Sequence, residues 1–304
     1  MTKVIISNCY FWTIMEMTGI QVNLKRQIID ESFEHGMVDN GVLFATIDDH
    51  QFCYFILDKA RNKAVVLKDY HILMGSGKSA EFFQTVFASD DILRNYNPAK
   101  KVLAIQTNSC ALTPDPLFSR ENMRDGLSLV SRLKHSDIVY SDFLPIANTH
   151  LTYSIPFEFN SAISTYFNGA SLVNALSSFI EIHLMNNKHR QYPAVMVNVR
   201  KHTMDVVVCK GNELLFCNSF EHQTGEDFIY YLLYVMEQLQ LNPDVHQVIV
   251  FGEIERNSSA WLIAQKYIRY LMLGDKPESF EYAYGFDQLL PSQYHLLFSQ
   301  ILCV

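Results

Sequence analysis

Short apolar segments separated by polar turns fill the first third of the chain. Residues 41–47, 51–57 and 63–73 are rich in β-branched and aromatic side chains, with polar residues between them. Segments of this length and composition predict strands, so the three together predict a β-meander. A helix is then predicted to begin after Ser79, because apolar residues follow at helical spacing. These residues are Phe82, Phe83, Val86 and Phe87.

The remainder of the first half predicts a short strand, an edge strand or loop, and a further helix. Residues 102–105 form a short apolar strand, whereas residues 111–118 predict an edge strand or a loop, because two prolines interrupt the segment. Ser119 is expected to cap a helix that runs to residue 133. The residues on its apolar face would be Leu127, Val130 and Leu133.

The second half of the chain repeats this order of elements. Strands are predicted at residues 194–199, 204–209, 213–220, 248–251 and 280–284. A helix at residues 225–239 separates the third and fourth of these strands, and a helix capped by Asn257 or Ser258 separates the fourth and fifth. Both halves therefore follow the order strand, strand, strand, helix, strand, helix, strand.

This repeated order predicts the fold class. Three meander strands followed by strands that alternate with helices make up a ribonuclease H-like unit, and alternating strands and helices form layers with helices covering the sheet. We therefore predict an α/β protein of two tandem ribonuclease H-like units, which is the actin-like ATPase architecture. The first unit, with an N-terminal extension, is assigned to residues 1–169 and the second to residues 170–304. A helix at residues 170–186 is expected to open the second unit.

Two stretches resemble an uncharacterised bacterial family, domain of unknown function 3822. The first comprises residues 214–220 (LLFCNSF) and 226–233 (EDFIYYLL), and the second is residues 112–118 (LTPDPLF). The resemblance extends over about residues 40–304. The family is associated with an actin-like ATPase fold and has no assigned activity. The resemblance therefore implies the architecture and transfers no catalytic residue.

Cysteine usage and the N-terminal segment indicate the compartment. The six cysteines include no pair with CxxC spacing, which is typical of buried free thiols in a reducing cytosol. Residues 4–20 are mostly apolar, but Asn8 and Glu16 interrupt them and no small-residue cleavage site follows. We interpret this segment as a packed or frayed part of a soluble protein, so a cytoplasmic location without a membrane partner is expected.

Charge and glycine content argue against two function classes. The formal net charge is −8, whereas binding to nucleic acid requires clustered Lys and Arg side chains. Only 12 of 304 residues are glycine, about half of the usual frequency of about 7%. Loops that cradle phosphates are usually rich in glycine, so this scarcity argues against a nucleotide enzyme.

The turns that hold nucleotide in actin-like ATPases can be located here, and their residues are altered. The first contains Asp48 and Asp49 but no glycine, and the equivalent turn of the second half contains Asn198 and Arg200. In that fold an acidic residue in such a turn organises magnesium, and glycines let the backbone approach the phosphates. Asparagine is a weaker magnesium ligand, and an arginine side chain would fill the space that phosphate needs.

Further candidates for the cleft lie in the second half. The turn on the adenosine side retains Gly252 beside two carboxylates, of which Glu253 is the nearer. Gly225 begins a helix whose N–H groups could face an anion, although Glu226 and Asp227 already occupy that end. Thr224 and Asp227 have the spacing of a capping box. The candidate inter-domain cleft therefore comprises Asp48, Asp49, Asn198, Arg200, Gly225, Gly252 and Glu253.

Other constellations are interpreted as structural. The segment 75–79 (GSGKS) resembles a P-loop, but the full pattern requires glycine at position 72, where Ile72 stands, so a flexible loop and a helix cap are predicted. The helix at 225–239 is expected to be buried, with Tyr230, Tyr231 and Tyr234 as an alternative stacking surface. Neither a metal site, a ribonuclease H-like set of acids nor a nucleophile triad is predicted.

These observations leave two hypotheses of function. The first is a non-catalytic cytosolic binding or scaffold protein with a degenerate actin-like ATPase fold, no cofactor, and another protein as its partner. The aromatic content of 13% favours an interface, because aromatic residues are enriched there. The alternative is a nucleotide-binding protein or weak ATPase that holds ATP and magnesium in the inter-domain cleft.

Overall fold

The computed structural model describes residues 20–33, 40–74, 78–96, 98 and 100–303. The predicted segment 4–19 and the loop 75–77 lie outside these residues. Three sheets and their covering helices build the protein. Among the described residues, no helix is both long enough and apolar enough to cross a bilayer.

The first sheet contains the predicted meander at its centre. Its strands are β1 (Gln21–Ile29), β2 (Gly41–Ile47), β3 (Gln51–Asp58), β4 (Lys63–Met74) and β5 (Lys100–Ile105). The strand β9 (Ser171–Asn174) completes the order β1-β4-β3-β2-β5-β9, in which the last three strands are parallel. The short strand β15 (Glu281–Tyr282) also pairs with β4, so the strand predicted at residues 280–284 lies in the first sheet and its assignment to the second unit is wrong. The strands β2 and β3 are buried on both faces, which explains their nearly continuous apolar sequences.

The second sheet has the same topology. Its strands are β10 (Ala194–Val199), β11 (Thr203–Lys210), β12 (Glu213–Glu221), β13 (Val248–Gly252) and β14 (Leu271–Leu273), in the order β12-β11-β10-β13-β14. Antiparallel pairs join the first three strands, and parallel pairs join β10, β13 and β14. The strand order β4-β3-β2-β5-β9 in the first sheet corresponds, strand for strand, to the order β12-β11-β10-β13-β14 in the second sheet. The predicted α/β fold of two ribonuclease H-like units is thereby confirmed.

A third sheet of three strands is inserted after β5. Its strands are β6 (Cys110–Pro114), β7 (Ile138–Leu144) and β8 (Thr149–Ile155), in the order β6-β8-β7. The proline-containing segment is thus an edge strand. The helix predicted at residues 119–133 is wrong in extent, because the helix α3 spans only Met123–Ser128. Leu127 is buried there, whereas Val130 is exposed, so no apolar face extends the helix toward residue 133.

Three of the described helices begin at caps that the sequence predicts, whereas α3 begins after Asn122 and not after Ser119. The described helices are α1 (Ala80–Ser89), α2 (Asp91–Asn95), α3 (Met123–Ser128), α4 (Phe157–Tyr166), α5 (Ala175–Asn187), α6 (Gly225–Gln238), α7 (Ser259–Tyr267) and α8 (His295–Phe298). Ser79 caps α1 and Ser258 caps α7. Thr224 and Asp227 form the predicted capping box of α6. Each cap satisfies backbone N–H groups that the first turn leaves without a partner.

The junction between the two halves differs from the prediction. Residues 171–174 form β9 instead of the first turn of a helix, because they pair with β5 in the first sheet. The side chain of Asn174 then accepts the N–H of Leu176 and begins α5 at Ala175. Residues after β15 also pack on the first sheet, where Phe286 and Phe298 are fully buried. Segments on both sides of residue 169 therefore contribute to the first unit, and the division after residue 169 stays a prediction.

Three apolar clusters fix the sheets and helices in place. The largest lies between the sheets and includes side chains from both halves, such as Phe83, Phe179 and Met196. A second cluster lies between the second sheet and the helices α6 and α7. A third fills the space between the first sheet and the C-terminal residues. Because the largest cluster is shared, the two units meet through packed side chains.

The helix α5 is joined to the small sheet through two carboxylates. Asp142 Oδ2 accepts the N–H of Asn174 at 2.6 Å and the hydroxyl of Ser177 at 2.7 Å. Glu181 accepts the N–H groups of Ile146 and Ala147 at 3.2 and 3.3 Å. Burial raises the pKa of Asp142 from 3.8 to about 6 despite these hydrogen bonds. Burial likewise raises the pKa of Glu181.

The raised pKa of Asp142 predicts a pH-dependent stability. The folded state binds this proton more tightly than the unfolded state, so the stabilisation is complete below about pH 4 and is lost as the pH rises through about 6. The loss amounts to at most about 3 kcal/mol for a shift of about two pKa units. Asp142→Asn should remove this part of the pH dependence, as measured by urea denaturation between pH 4 and 7. Asp125→Asn, which changes an exposed side chain on α3, should leave the dependence unchanged.

Candidate functional site

A cleft of about 360 Å³ lies where the first two strands of each unit turn. The β2–β3 turn and the β10–β11 turn face each other across it. Each turn is closed by one backbone hydrogen bond, from Asp48 N to Gln51 O at 3.0 Å and from Arg200 N to Thr203 O at 2.8 Å. The cleft is lined by Asp48, Asp49, His50, Lys78, Gln106, Thr107, Asn108, Ser109, Arg200, Lys201, His202 and Thr203.

The two acidic residues of the first turn are engaged by their own surroundings. The carboxylate of Asp48 accepts the N–H groups of His50 and Gln51, both at 2.7 Å. This arrangement is a turn held by its own aspartate. Asp49 lies 3.0 Å from the Nζ of Lys78, in an ion pair with a half-exposed carboxylate. Asp48 therefore stabilises the turn, and Asp49 pairs with the ammonium group of Lys78.

In the second unit, a network of side-chain hydrogen bonds centred on Asp205 lies beside the β10–β11 turn. Asp205 is only 5% exposed and comes from β11, next to Asn198 on β10. Its Oδ1 accepts Nη2 of Arg200 at 2.8 Å and the hydroxyl of Ser219 at 2.6 Å. Its Oδ2 accepts the side-chain amide of Asn198 at 3.1 Å. The carboxylate is thus saturated by three side chains of the second unit.

The side chain of Arg200 also connects the two halves. The same Nη2 that binds Asp205 donates to Oδ1 of Asn108, 3.1 Å away in the segment after β5. Burial would lower the pKa of Arg200, but the Asp205 and Asp48 carboxylates outweigh it and leave that pKa raised. Across the cleft, the rings of His50 and His202 meet edge to face at 5.4 Å. The guanidinium therefore remains charged and lies directly between the two turns.

Gly252 and Glu253 lie at the end of β13, behind the Arg200 turn. Gly252 has a φ of +88°, and a Cβ there would be 2.1 Å from the carbonyl oxygen of Val199. Its N–H donates to the carbonyl of Ser292 at 2.9 Å, and the N–H of Glu253 donates to Val199 at 2.7 Å. Glycine is therefore required for close contact between two backbone segments at this position.

Gly225 is placed by helix packing. It is the first residue of α6, and a Cβ there would be 3.0 Å from both the backbone nitrogen of Ala260 and the Cδ1 of Ile263. This glycine lets the start of α6 approach α7 closely.

Of the seven predicted residues, three line the cleft, namely Asp48, Asp49 and Arg200. The other four lie behind the turns or between helices.

Sequence reasoning missed several residues that build the cleft. Asp205 is the centre of the network, and the available signal was one acidic residue inside the apolar strand β11 (TMDVVVCK). Asn108 and Lys201 carry no motif, because their position depends on the contact between the units. Lys78 belongs to the P-loop-like segment, where Ser79 caps α1 through its hydroxyl, as predicted.

Side chains, and not the exposed backbone N–H groups of glycines, are the groups that the two turns present to the cleft. Neither turn at the cleft contains a glycine, and the side chain of Arg200 lines the space between them. Within the described ranges, no group of three or more His, Cys, Asp or Glu side chains could hold a metal ion. The cleft does contain three cationic side chains, those of Lys78, Arg200 and Lys201, two of which are paired with carboxylates.

Two equivalent sheets that meet at a cleft between their first turns define a protein with the actin-like ATPase fold. A crystal structure of a Bacteroides thetaiotaomicron protein with this fold and unknown function is similar, with a TM-score of 0.73 and 18% identity. The match covers 90% of this chain and 99% of that chain. The chain belongs to the family described as protein of unknown function (DUF3822), whose model matches residues 32–271. The resemblance seen in the sequence is thereby confirmed.

A second solved structure has the same fold. In the PilM–PilN type IV pilus biogenesis complex, the similar chain matches with a TM-score of 0.58 and 10% identity, covering 88% of this chain and 98% of that chain. No curated protein matches the sequence.

Proposed function

We propose that this protein is a non-catalytic cytosolic binding or scaffold protein that uses the actin-like ATPase fold to hold another protein. The observation that carries the proposal is the network of Arg200, Asp205 and Asn108 at the cleft. It joins the two halves through side chains at the place where an ATPase of this fold would hold phosphates.

The energy of this network argues against a triphosphate in the cleft. A phosphate bound at Arg200 would compete with Asp205 for the guanidinium, and loss of that ion pair would leave a carboxylate that is 5% exposed without its cation. Removing one partner of a buried ion pair usually costs about 3–5 kcal/mol of folding free energy. The carboxylates that could hold magnesium already have partners, because Asp48 Oδ1 accepts two amides of its own turn and Asp49 pairs with Lys78. Asn198 carries no charge.

The fold of a similar chain supports a protein partner. The PilM–PilN complex contains a chain of this fold in an assembly with a second protein. A cleft whose two sides are joined by side-chain hydrogen bonds and a fold that occurs in such an assembly are both compatible with a binding role that requires no turnover.

The alternative function is a nucleotide-binding protein or weak ATPase that uses ATP and magnesium in the same cleft. The observation in its favour is the set of cationic side chains Lys78, Arg200 and Lys201 around a cavity of about 360 Å³. Such side chains bind phosphate when their carboxylate partners are displaced. The two proposals differ in what nucleotide does to the stability of the folded protein.

The test is thermal unfolding with millimolar Mg-ATP, Mg-ADP and Mg-GTP. We expect no change in Tm, because a ligand stabilises the native state only if it binds there. Binding at a hundred times the Kd would add about 2.7 kcal/mol and raise the Tm clearly. A rise in Tm that disappears in Lys78→Ala, while Lys266→Ala on the exposed face of α7 retains it, would overturn the proposal in favour of the alternative.

A further inference from the structure

The strand β12 is the edge of the second sheet among the residues that the structure describes. It spans nine residues, Glu213–Glu221, and pairs with β11. Within the ranges that the structure describes, no second strand pairs with it. A row of backbone N–H and C=O groups along such an edge is a template for a further strand.

The other edges of the two large sheets are short or carry charges at their centre, whereas β12 is long and is interrupted only by a bulge at Leu215. The strand β14 has three residues and β9 has four, while β1 carries Lys25 and Arg26 at its centre. Charged side chains at the middle of an edge oppose pairing with another chain. By contrast, β12 contains no proline, and its charged residues are confined to its two ends. Its centre is apolar, with Leu214, Leu215, Phe216 and Cys217.

One face of this edge borders a groove. A cavity of about 700 Å³ lies between β12 and the small sheet. Leu112 and Pro114 of β6 and Thr149 of β8 form one wall, and Leu214 and Cys217 of β12 form the other. A ligand groove in proteins commonly has about 300–1,000 Å³. Because Pro114 has no N–H to donate, the small sheet offers a poorer template here than β12.

The other face of the same edge carries a row of aromatic rings. Phe216 stacks with Phe220 at 6.4 Å, and Phe220 stacks with Tyr231 of α6 at 4.9 Å. Tyr230 and Tyr234 continue the row at 6.4 Å and are 63% and 47% exposed. Exposed tyrosines beside apolar side chains are typical of the residues that dominate binding interfaces.

The charges at the ends of β12 indicate what it binds. At the first end, Glu213 pairs in register with Lys210, so the two charges offset each other. At the other end, Glu221 and Glu226 are exposed carboxylates, while Asp227 adds the charge of the capping box. This end is therefore acidic and favours a basic side chain in the partner.

These charges also disfavour a second copy of this chain. If two β12 strands paired antiparallel about Cys217, Glu213 of each would lie opposite Glu221 of the other. Like charges directly opposite in a sheet are destabilising. A partner strand with basic ends avoids this repulsion.

We propose that β12 binds an extended, alternately apolar segment of another protein, which adds to the second sheet and places a Lys or Arg beside Glu221 and Glu226. This inference rests on the proposed binding function and names its surface and its partner class. The backbone of β12 supplies hydrogen bonds, the groove receives alternate side chains, and the tyrosines of α6 cover the other face.

The test uses two fluorescein-labelled peptides as long as β12, in which Val and Thr alternate. One peptide has Lys at both ends and the other has Glu at both ends. We expect saturable binding by fluorescence anisotropy, with about five-fold higher affinity for the Lys peptide than for the Glu peptide. This difference corresponds to the free energy that one exposed ion pair contributes. Hydrogen exchange at residues 213–221 should slow when the Lys peptide is added. Equal affinity for both peptides would overturn the proposal.

Variants at exposed positions locate the peptide without changing the core. Tyr234→Ala should weaken binding several-fold, whereas Tyr270→Ala, which is equally exposed at 47% but lies beside β14, should leave it unchanged. Glu221→Lys should reverse the preference between the peptides. Equal effects of the two tyrosine variants, or protection of β12 through concentration-dependent dimers, would overturn the proposal.

The outcome is distinguishable from failure of the proposed function. If neither peptide binds and no nucleotide raises the Tm, the edge proposal fails while a binding role on another surface stands. If nucleotide raises the Tm through Lys78, the proposed function fails whatever the peptides do.

Discussion

Gly252→Ala is expected to reduce the free energy of unfolding by more than about 3 kcal/mol, or to prevent folding. The backbone at Gly252 has a φ of +88°, which L side chains rarely adopt. The added Cβ would also lie 2.1 Å from the carbonyl oxygen of Val199. That carbonyl accepts the N–H of Glu253, so it cannot move away without loss of a hydrogen bond. Urea denaturation followed by circular dichroism measures the change.

Gly126→Ala provides the matched control for this substitution. Gly126 lies in the helix α3, and a Cβ there would meet nothing within 4 Å. Alanine is favoured over glycine inside a helix by about 0.5–1 kcal/mol, so this variant should be as stable as the wild type or slightly more stable. If Gly252→Ala lost less than about 1 kcal/mol, the close contact between β10 and the turn after β13 would be wrong.

Gly252 also shows what the sequence could and could not predict. Its position at the end of a short apolar strand was readable, because the pattern of strand and helix located that turn. Its role was interpreted by analogy with phosphate-binding turns, whereas the structure uses it for contact with Val199. The distance between two backbone segments depends on how the strands pair, and a single sequence carries no signal for it.

The order along the chain of most strands in the two large sheets was predictable for a physical reason. Strands such as β2 and β3 are buried on both faces, so their sequences are almost entirely apolar and stand out against polar turns. The strand β1 and the small sheet were not predicted as such. Their residues are only partly buried, with polar and apolar side chains mixed, so neither the strand nor the helix period dominates. The wrong helix at residues 119–133 lies in this same region.

The part of the candidate site that lies at the β10–β11 turn was predictable from the sequence, whereas the residues that this turn contacts were not. Asn198 and Arg200 were located as departures from the expected pattern, and both contribute to the network at the cleft. Their common partner Asp205 lies on the neighbouring strand, opposite Asn198 in register, and Asn108 belongs to the other unit. These partners follow from strand pairing and from the contact between units, both of which are tertiary properties.

Asp205→Ala is expected to cost about 3–5 kcal/mol of stability, the usual effect of removing one partner from a buried ion pair. The variant would leave the guanidinium of Arg200 without its carboxylate and would remove the acceptor of Asn198 and Ser219. Asp205→Asn should cost less, because its amide oxygen still accepts one of these hydrogen bonds. Urea denaturation of both variants measures the difference.

Asp244→Ala is the matched control, because it removes an exposed aspartate from the same unit. Substitutions at such positions usually change stability by less than about 0.5 kcal/mol. If the cleft network joins the units, Asn108→Ala should also destabilise the protein, by about 0.5–1.5 kcal/mol for one lost hydrogen bond. The double variant with Asp205→Ala should then cost less than the sum, because both residues act through Arg200. Strict additivity would show that Arg200 does not couple the two units, and the network would not explain how the two sides of the cleft are joined.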